Sequence, residues 1–183
     1  MQREKSIQKL KNSIIIALFS VIILVCSQIA IPFVIPFTLQ SLGVFLAFGI
    51  LGGKKGLISF LLYLALGLVG VPISASGEVG IGVLVGPTAG YFIGWIICGV
   101  IFWVFESRTG NTNKTRILFL SIGTICCYIT GSVWFAFVYS YNNASIGIWS
   151  ALCYCVFPFI AFDAIKLFVA NVITDKIRKK VKI

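Results

Sequence analysis

Long apolar runs separated by short polar or basic turns organise this chain. Residues 13–31 carry no charge for 19 positions, enough to cross a hydrocarbon layer of about 30 Å at about 1.5 Å of rise per helical residue. Pro32 and Pro36 follow, too close together for a regular helix. Residues 38–53 and 56–71 form two shorter apolar spans, followed by a polar, glycine-bearing stretch over 72–86. Residues 87–105 open on Pro87, a residue favoured at a helix start. Residues 117–139 make a fifth span, a polar turn covers 140–145, and a long sixth span over 146–173 contains Pro158. The pattern predicts an all-α integral membrane protein: one domain over residues 1–183, six transmembrane helices in a compact bundle.

Charge then orients the bundle. Fourteen of the 15 Lys and Arg residues fall in four clusters: the segment before the first span, the Lys54–Lys55 turn, the Arg108–Arg116 loop, and the C-terminal tail. With six spans all four clusters face the same side, and the positive-inside rule makes that side cytoplasmic, both termini included. The three outer loops then hold no Lys or Arg and a single acid, Glu78. A net charge of +10 would suggest nucleic acid on a soluble chain, but 59% hydrophobic residues, 11% charged ones and a mean hydropathy of +1.05 exclude both that reading and a soluble enzyme.

Hydrolytic and metal chemistry lack their residues. The chain has no histidine, and its six cysteines all lie inside apolar stretches without metal-ligand spacing, as expected of small packing residues. Five acids supply no paired carboxylates for metal or glycosidase work. The Gly52-Gly-Lys-Lys-Gly run lacks the spacing of a phosphate loop. No catalytic residue and no metal site is expected. Asn113-Lys-Thr and Asn143-Ala-Ser match glycosylation acceptors only as short patterns.

What remains is a small polar set. Asp163 and Lys166 lie inside the sixth span, where a charge costs roughly 2.5–3.5 kcal/mol at a helix centre. Three residues apart, they share a helix face. They either neutralise one another or face a polar ligand between helices. Gln40 and Gln28 stand near outer helix ends, at the interface or in a site. Trp134, Tyr139, Tyr91 and Trp149 are aromatic-belt candidates, and the depth of Trp134 in its span favours a pocket wall. Residues 43–94 hold 13 of the 18 glycines. Tight helix packing accounts for many, but Gly77, Gly80, Gly82 and Gly86 suggest an ordered outer loop folded over something.

Taken in order, five segments resemble the BioY family, the biotin-specific substrate-binding components of energy-coupling-factor (ECF) transporters. They are Ile35-Pro-Phe-Thr-Leu-Gln-Ser-Leu-Gly-Val, Leu51-Gly-Gly-Lys-Lys-Gly, Leu66-Gly-Leu-Val-Gly-Val-Pro, Gly82-Val-Leu-Val-Gly-Pro-Thr-Ala-Gly-Tyr-Phe-Ile-Gly-Trp and Asp163-Ala-Ile-Lys. The resemblance implies a multi-pass protein of the bacterial plasma membrane, with a biotin pocket near the outer surface closed by the first and third outer loops. It also implies partners, a transmembrane coupling subunit and two cytoplasmic ATPases. Two positions depart from the family pattern: Ala89 replaces a usual glycine, and Ser13-x-x-x-Ala17 stands where two alanines four apart often face the coupling subunit. Biotin has a ureido ring with two N–H donors and one carbonyl, an apolar sulfur ring and a carboxylate tail. Asp163 suits the ureido N–H groups, Lys166 an oxygen of the ureido or of the carboxylate, and Trp134 and Tyr91 the apolar ring. Gln40, Thr88 and the backbone at Gly82 and Gly86 are further ligand candidates. The rival readings are a binding component for another vitamin, an autonomous channel or carrier, and a membrane enzyme.

Overall fold

A computed structural model describes residues 2–32, 35–75, 77–142 and 148–180. The elements, in order, are α1 (Gln2–Gln28), β1 (Ala30–Ile31), β2 (Phe37–Thr38), α2 (Gln40–Leu51), α3 (Gly53–Leu68), α4 (Gly82–Val85), α5 (Ala89–Thr109), α6 (Asn113–Asn142), α7 (Ile148–Cys155) and α8 (Phe157–Lys180). Residues 143–147, with the Asn143-Ala-Ser pattern and much of the loop expected as the third outer one, lie outside the described residues.

Local chemistry explains where the boundaries differ from the apolar runs. The first helix begins at Gln2, so the basic segment Arg3–Lys11 is part of it. Helix α5 starts at Ala89 with Thr88 as its N-cap residue, two positions later than Pro87 suggests. The sixth apolar run is not one helix. It breaks at Val156 between α7 and α8, because Pro158 has no N–H and its ring would strike the carbonyl of Tyr154 in a continuous helix. The break is bridged by Phe159 N–H donating to the Val156 carbonyl at 2.9 Å.

Among the described residues, four segments are long and apolar enough to cross a membrane by length and composition: α1, α5, most of α6, and Leu152–Lys180, which joins the end of α7 to α8. Helices α2 and α3, with 12 and 16 residues, are shorter than the about 20 residues of a full crossing. Gly52, at φ 84°, makes the turn between them. The single position permits this reversal because φ is in the left-handed region.

The core lies where α1, α2, α3 and α5 meet, around Ile23, Phe45, Phe48, Phe60, Tyr63, Trp95 and Phe102. Helices α5 and α6 pack backbone to backbone. A Cβ on Gly94 would stand 2.5 Å from the Cα of Cys127, and one on Gly123 would stand 2.0 Å from the Sγ of Cys98. That is the close approach small residues permit between membrane helices. Outward faces are apolar: Leu10, Ile14, Leu18 and Val21 on α1, Ile125, Ile129 and Val133 on α6, and Ile165 and Phe168 on α8 are exposed. Such a surface suits lipid, not water.

The end of the bundle that carries the basic clusters is clamped by buried polar groups. Arg116 is 1% exposed; it donates to Asn171 and Asn111 and pairs with Asp175. Arg178 donates to the Gly49 carbonyl at 2.9 Å. The Glu106 carboxylate accepts from the N–H of Gly53. Helices α2 and α8 are therefore tied together at this end, which fixes their opposite ends relative to one another.

Candidate ligand site

At those opposite ends α2 and α8 open a cavity with α5 and α6. It takes in about 710 Å³ of space, counting the solvent at its open mouth. Three helical stripes line it, each set by i, i+3 and i+4 spacing: Thr88, Tyr91, Phe92 and Trp95 at the start of α5, Thr124, Cys127 and Tyr128 on α6, and Phe159, Asp163 and Lys166 on α8. Gln40 and Ser41, in the first turn of α2, complete the wall. Ile35, Pro36 and Thr38 from the loop between α1 and α2 and Ser74 and Ala75 from the loop between α3 and α4, the second loop, line its mouth. The third loop, which the family resemblance implies as part of the closure, falls largely outside the described residues.

Asp163 and Lys166 meet, and neither is alone. The Lys166 ammonium donates to Asp163 Oδ1 at 2.9 Å, to the Thr38 carbonyl at 2.8 Å and to Ser41 Oγ at 3.0 Å. An ammonium has three N–H groups, so all of them are taken. Asp163 Oδ1 accepts from Ser41 Oγ at 2.8 Å as well as from Lys166, and Oδ2 accepts from the Tyr128 hydroxyl at 2.8 Å. A carboxylate has about four lone-pair sites. One acceptor position on Oδ2 therefore remains, beside the lone pairs of the Tyr128 oxygen. Asp163 is 8% exposed, and a buried charge pair is tolerated only with such complete hydrogen bonding.

Gln40 reaches across to α3. Its amide nitrogen donates to the Tyr63 hydroxyl at 3.0 Å, and Tyr63 donates on to the Ile73 carbonyl at the start of the second loop. Only one of its two amide N–H groups is used by these bonds. Gln28 lies outside the cavity and anchors the same loop, donating to the Pro72 carbonyl at 2.9 Å.

Of the residues singled out from the sequence, Asp163, Lys166, Gln40, Thr88 and Tyr91 come together in the cavity wall. Trp134, Gly82 and Gly86 stand apart from that lining. Trp134 donates its indole N–H to the Gly86 carbonyl at 2.8 Å and so pins the end of the second loop to α6. Tyr91 combines two tasks: its ring faces the cavity, and its hydroxyl donates to the Cys155 carbonyl at the α7–α8 break, 2.9 Å away. Ser13 and Ala17 are exposed on α1, far along that helix from the cavity.

Sequence reasoning missed Ser41, Tyr128 and Trp95. Trp95 had a usable signal, since it follows Tyr91 by four residues and must share its face. Tyr128 had none of that strength: it lies six residues before Trp134, on a different face of α6.

A sequence model of the BioY family matches residues 1–183. The chain is 33% identical over 177 residues to the biotin transporter BioY of Rhodobacter capsulatus, covering 91% of this chain and 93% of that one. It is 33% identical over 171 residues to a probable biotin transporter BioY of Pyrococcus horikoshii, covering 93% and 98%. Its fold is similar to the crystal structure of the S-component for biotin from an ECF-type ABC transporter, with a TM-score of 0.81 and 29% identity over 94% of this chain and 93% of that one. With its full length matched by the family and its apolar helices arranged as in that membrane component, the chain belongs to the BioY family.

Proposed function

We propose that this protein is the biotin-binding specificity subunit of an ECF-type importer. The observation that carries the reading is the hydrogen-bond account at Asp163. The cavity's deep polar end offers acceptors, Asp163 Oδ2 and the Tyr128 oxygen, to a ligand that brings N–H donors. The ureido ring of biotin brings two. Its carbonyl takes the remaining amide N–H of Gln40, because the Lys166 donors are used within the protein. Lys166 therefore orients Asp163 instead of contacting the ligand's oxygen. Tyr91, Trp95 and Phe159 supply the apolar wall for the sulfur ring. Equilibrium titration of purified protein tests this: biotin binds, and lipoate, a sulfur-ring carboxylate with no ureido group, does not. Binding of lipoate or another vitamin in preference to biotin would overturn the assignment.

The same reading takes residues 1–183 as one domain with six crossings, α2 and α3 being short crossings completed by the β1–β2 hairpin and by Gly52. The four basic clusters then lie on the cytoplasmic side and the cavity mouth outside. A cysteine introduced at Lys54 should react with membrane-impermeant maleimide only in inside-out vesicles; labelling in intact cells would contradict this orientation.

Transport needs more than this chain. No nucleotide motif is present in the sequence, and Asp163 and Lys166 form a single self-satisfied pair, poorly suited to coupling a gradient. A coupling subunit and a pair of ATPases, the partners of ECF systems, fit this need, with Ser13 and Ala17 as their contact on the exposed face of α1.

A further inference from the structure

We infer that the site reads the ureido head of its ligand and leaves the carboxylate tail unread, so that uncharged tail derivatives, the amides and esters of biotin, are ligands of this protein too. This rests on the biotin reading and concerns the other end of the same molecule.

A carboxylate drawn from water into a pocket needs a cation or a cluster of free donors. Lys166 is the one cation in the cavity wall among the described residues, and its three N–H groups are committed to Thr38, Ser41 and Asp163. The remaining 14 Lys and Arg residues lie elsewhere: residues 28–53, 56–107 and 117–165 contain none. Arg116 is 12 positions from Tyr128 along α6, and Lys176 is ten from Lys166 along α8, separations of about 18 and 15 Å. Lys54 follows the far end of α2. Arg116 is in addition bound to Asp175. Among the described residues, none of them lines the cavity.

Two hydroxyls at the mouth, those of Ser74 and Thr88, are already occupied by an anion of the protein's own. The Glu78 carboxylate accepts from the Thr88 hydroxyl at 3.1 Å and from Ser74 Oγ at 3.3 Å. It also fills the space beside Gly86, where a Cβ would stand 2.3 Å from Glu78 Oε1. A ligand carboxylate arriving there meets a like charge and hydroxyls that are already donating. The Asp163–Lys166 pair contributes no net charge to attract it. With the head seated at Asp163, the tail points to this mouth and into water, where its charge contributes little to affinity.

The test is calorimetric titration of the full-length protein with biotin, biotinamide and biotin methyl ester. Biotinamide is nearly isosteric with the acid, so size does not confound the comparison. Both neutral compounds should bind with Kd values within fivefold of that of biotin. Losing a desolvated charge-assisted hydrogen bond costs roughly tenfold or more. A weakening beyond fivefold for either neutral compound would show that the carboxylate is read, and would overturn the inference while leaving biotin binding intact. If biotin itself fails to bind, the underlying assignment falls, and this inference with it.

Discussion

Asp163→Asn lowers biotin affinity about 10–150-fold and leaves a folded protein in detergent. The substitution keeps the shape of the side chain but exchanges a carboxylate acceptor for a neutral amide, and a hydrogen bond to a charged group is worth roughly 1.5–3 kcal/mol. Its NH2 group also turns toward either Tyr128 or the ligand, where the site expects an acceptor. Lys166→Ala acts differently on the same site. It removes three hydrogen bonds and leaves the Asp163 charge buried with only Ser41 and Tyr128. Breaking one side of a buried pair costs about 3–5 kcal/mol, so this variant should lose both affinity and thermal stability. Titration calorimetry paired with a melting curve separates the two effects. If both variants melt early yet bind biotin unchanged once stabilised, the pair serves the fold alone.

Replacing Ser13 or Ala17 with Trp leaves biotin affinity in detergent unchanged but cuts uptake by cells carrying the complete transporter to roughly a tenth or less. Both positions are exposed on α1, and neither contributes to the cavity wall. Small residues at such a face let helix backbones approach, and an indole there holds a partner helix away. The alternative, transport by this subunit alone, makes a different statement about a simpler preparation. Sustained, concentrative biotin uptake by liposomes containing only this chain would refute the partner requirement.

How far the sequence reached depended on the kind of signal. The apolar runs were readable because bilayer thickness dictates their length. Asp163 and Lys166 were readable because a charge inside such a run is costly and so rarely accidental. Pro158 signalled an irregularity, but the run's hydropathy hid the division into α7 and α8. Ser41 and Tyr128 are ordinary polar residues in apolar helices, and only the packing of α2 and α6 against α8 turns them toward Asp163. The same dependence on rotation places Trp134 on the Gly86 carbonyl instead of in the cavity wall. Glu78 was visible only as a solitary outer acid; its contacts with Ser74 and Thr88 depend on the path of a glycine-bearing loop, which no periodicity encodes.

In this protein Asp163 is expected to receive the ureido head. A structure of the protein crystallised with biotin measures this directly. A ureido N–H is expected within hydrogen-bonding distance of Asp163 Oδ2, with Lys166 still bound to Thr38, Ser41 and Asp163 and the carboxylate in water at the mouth, off the Ser74 and Thr88 hydroxyls that Glu78 holds. A carboxylate oxygen seated on Lys166 Nζ, with the ureido ring at the mouth, would contradict it.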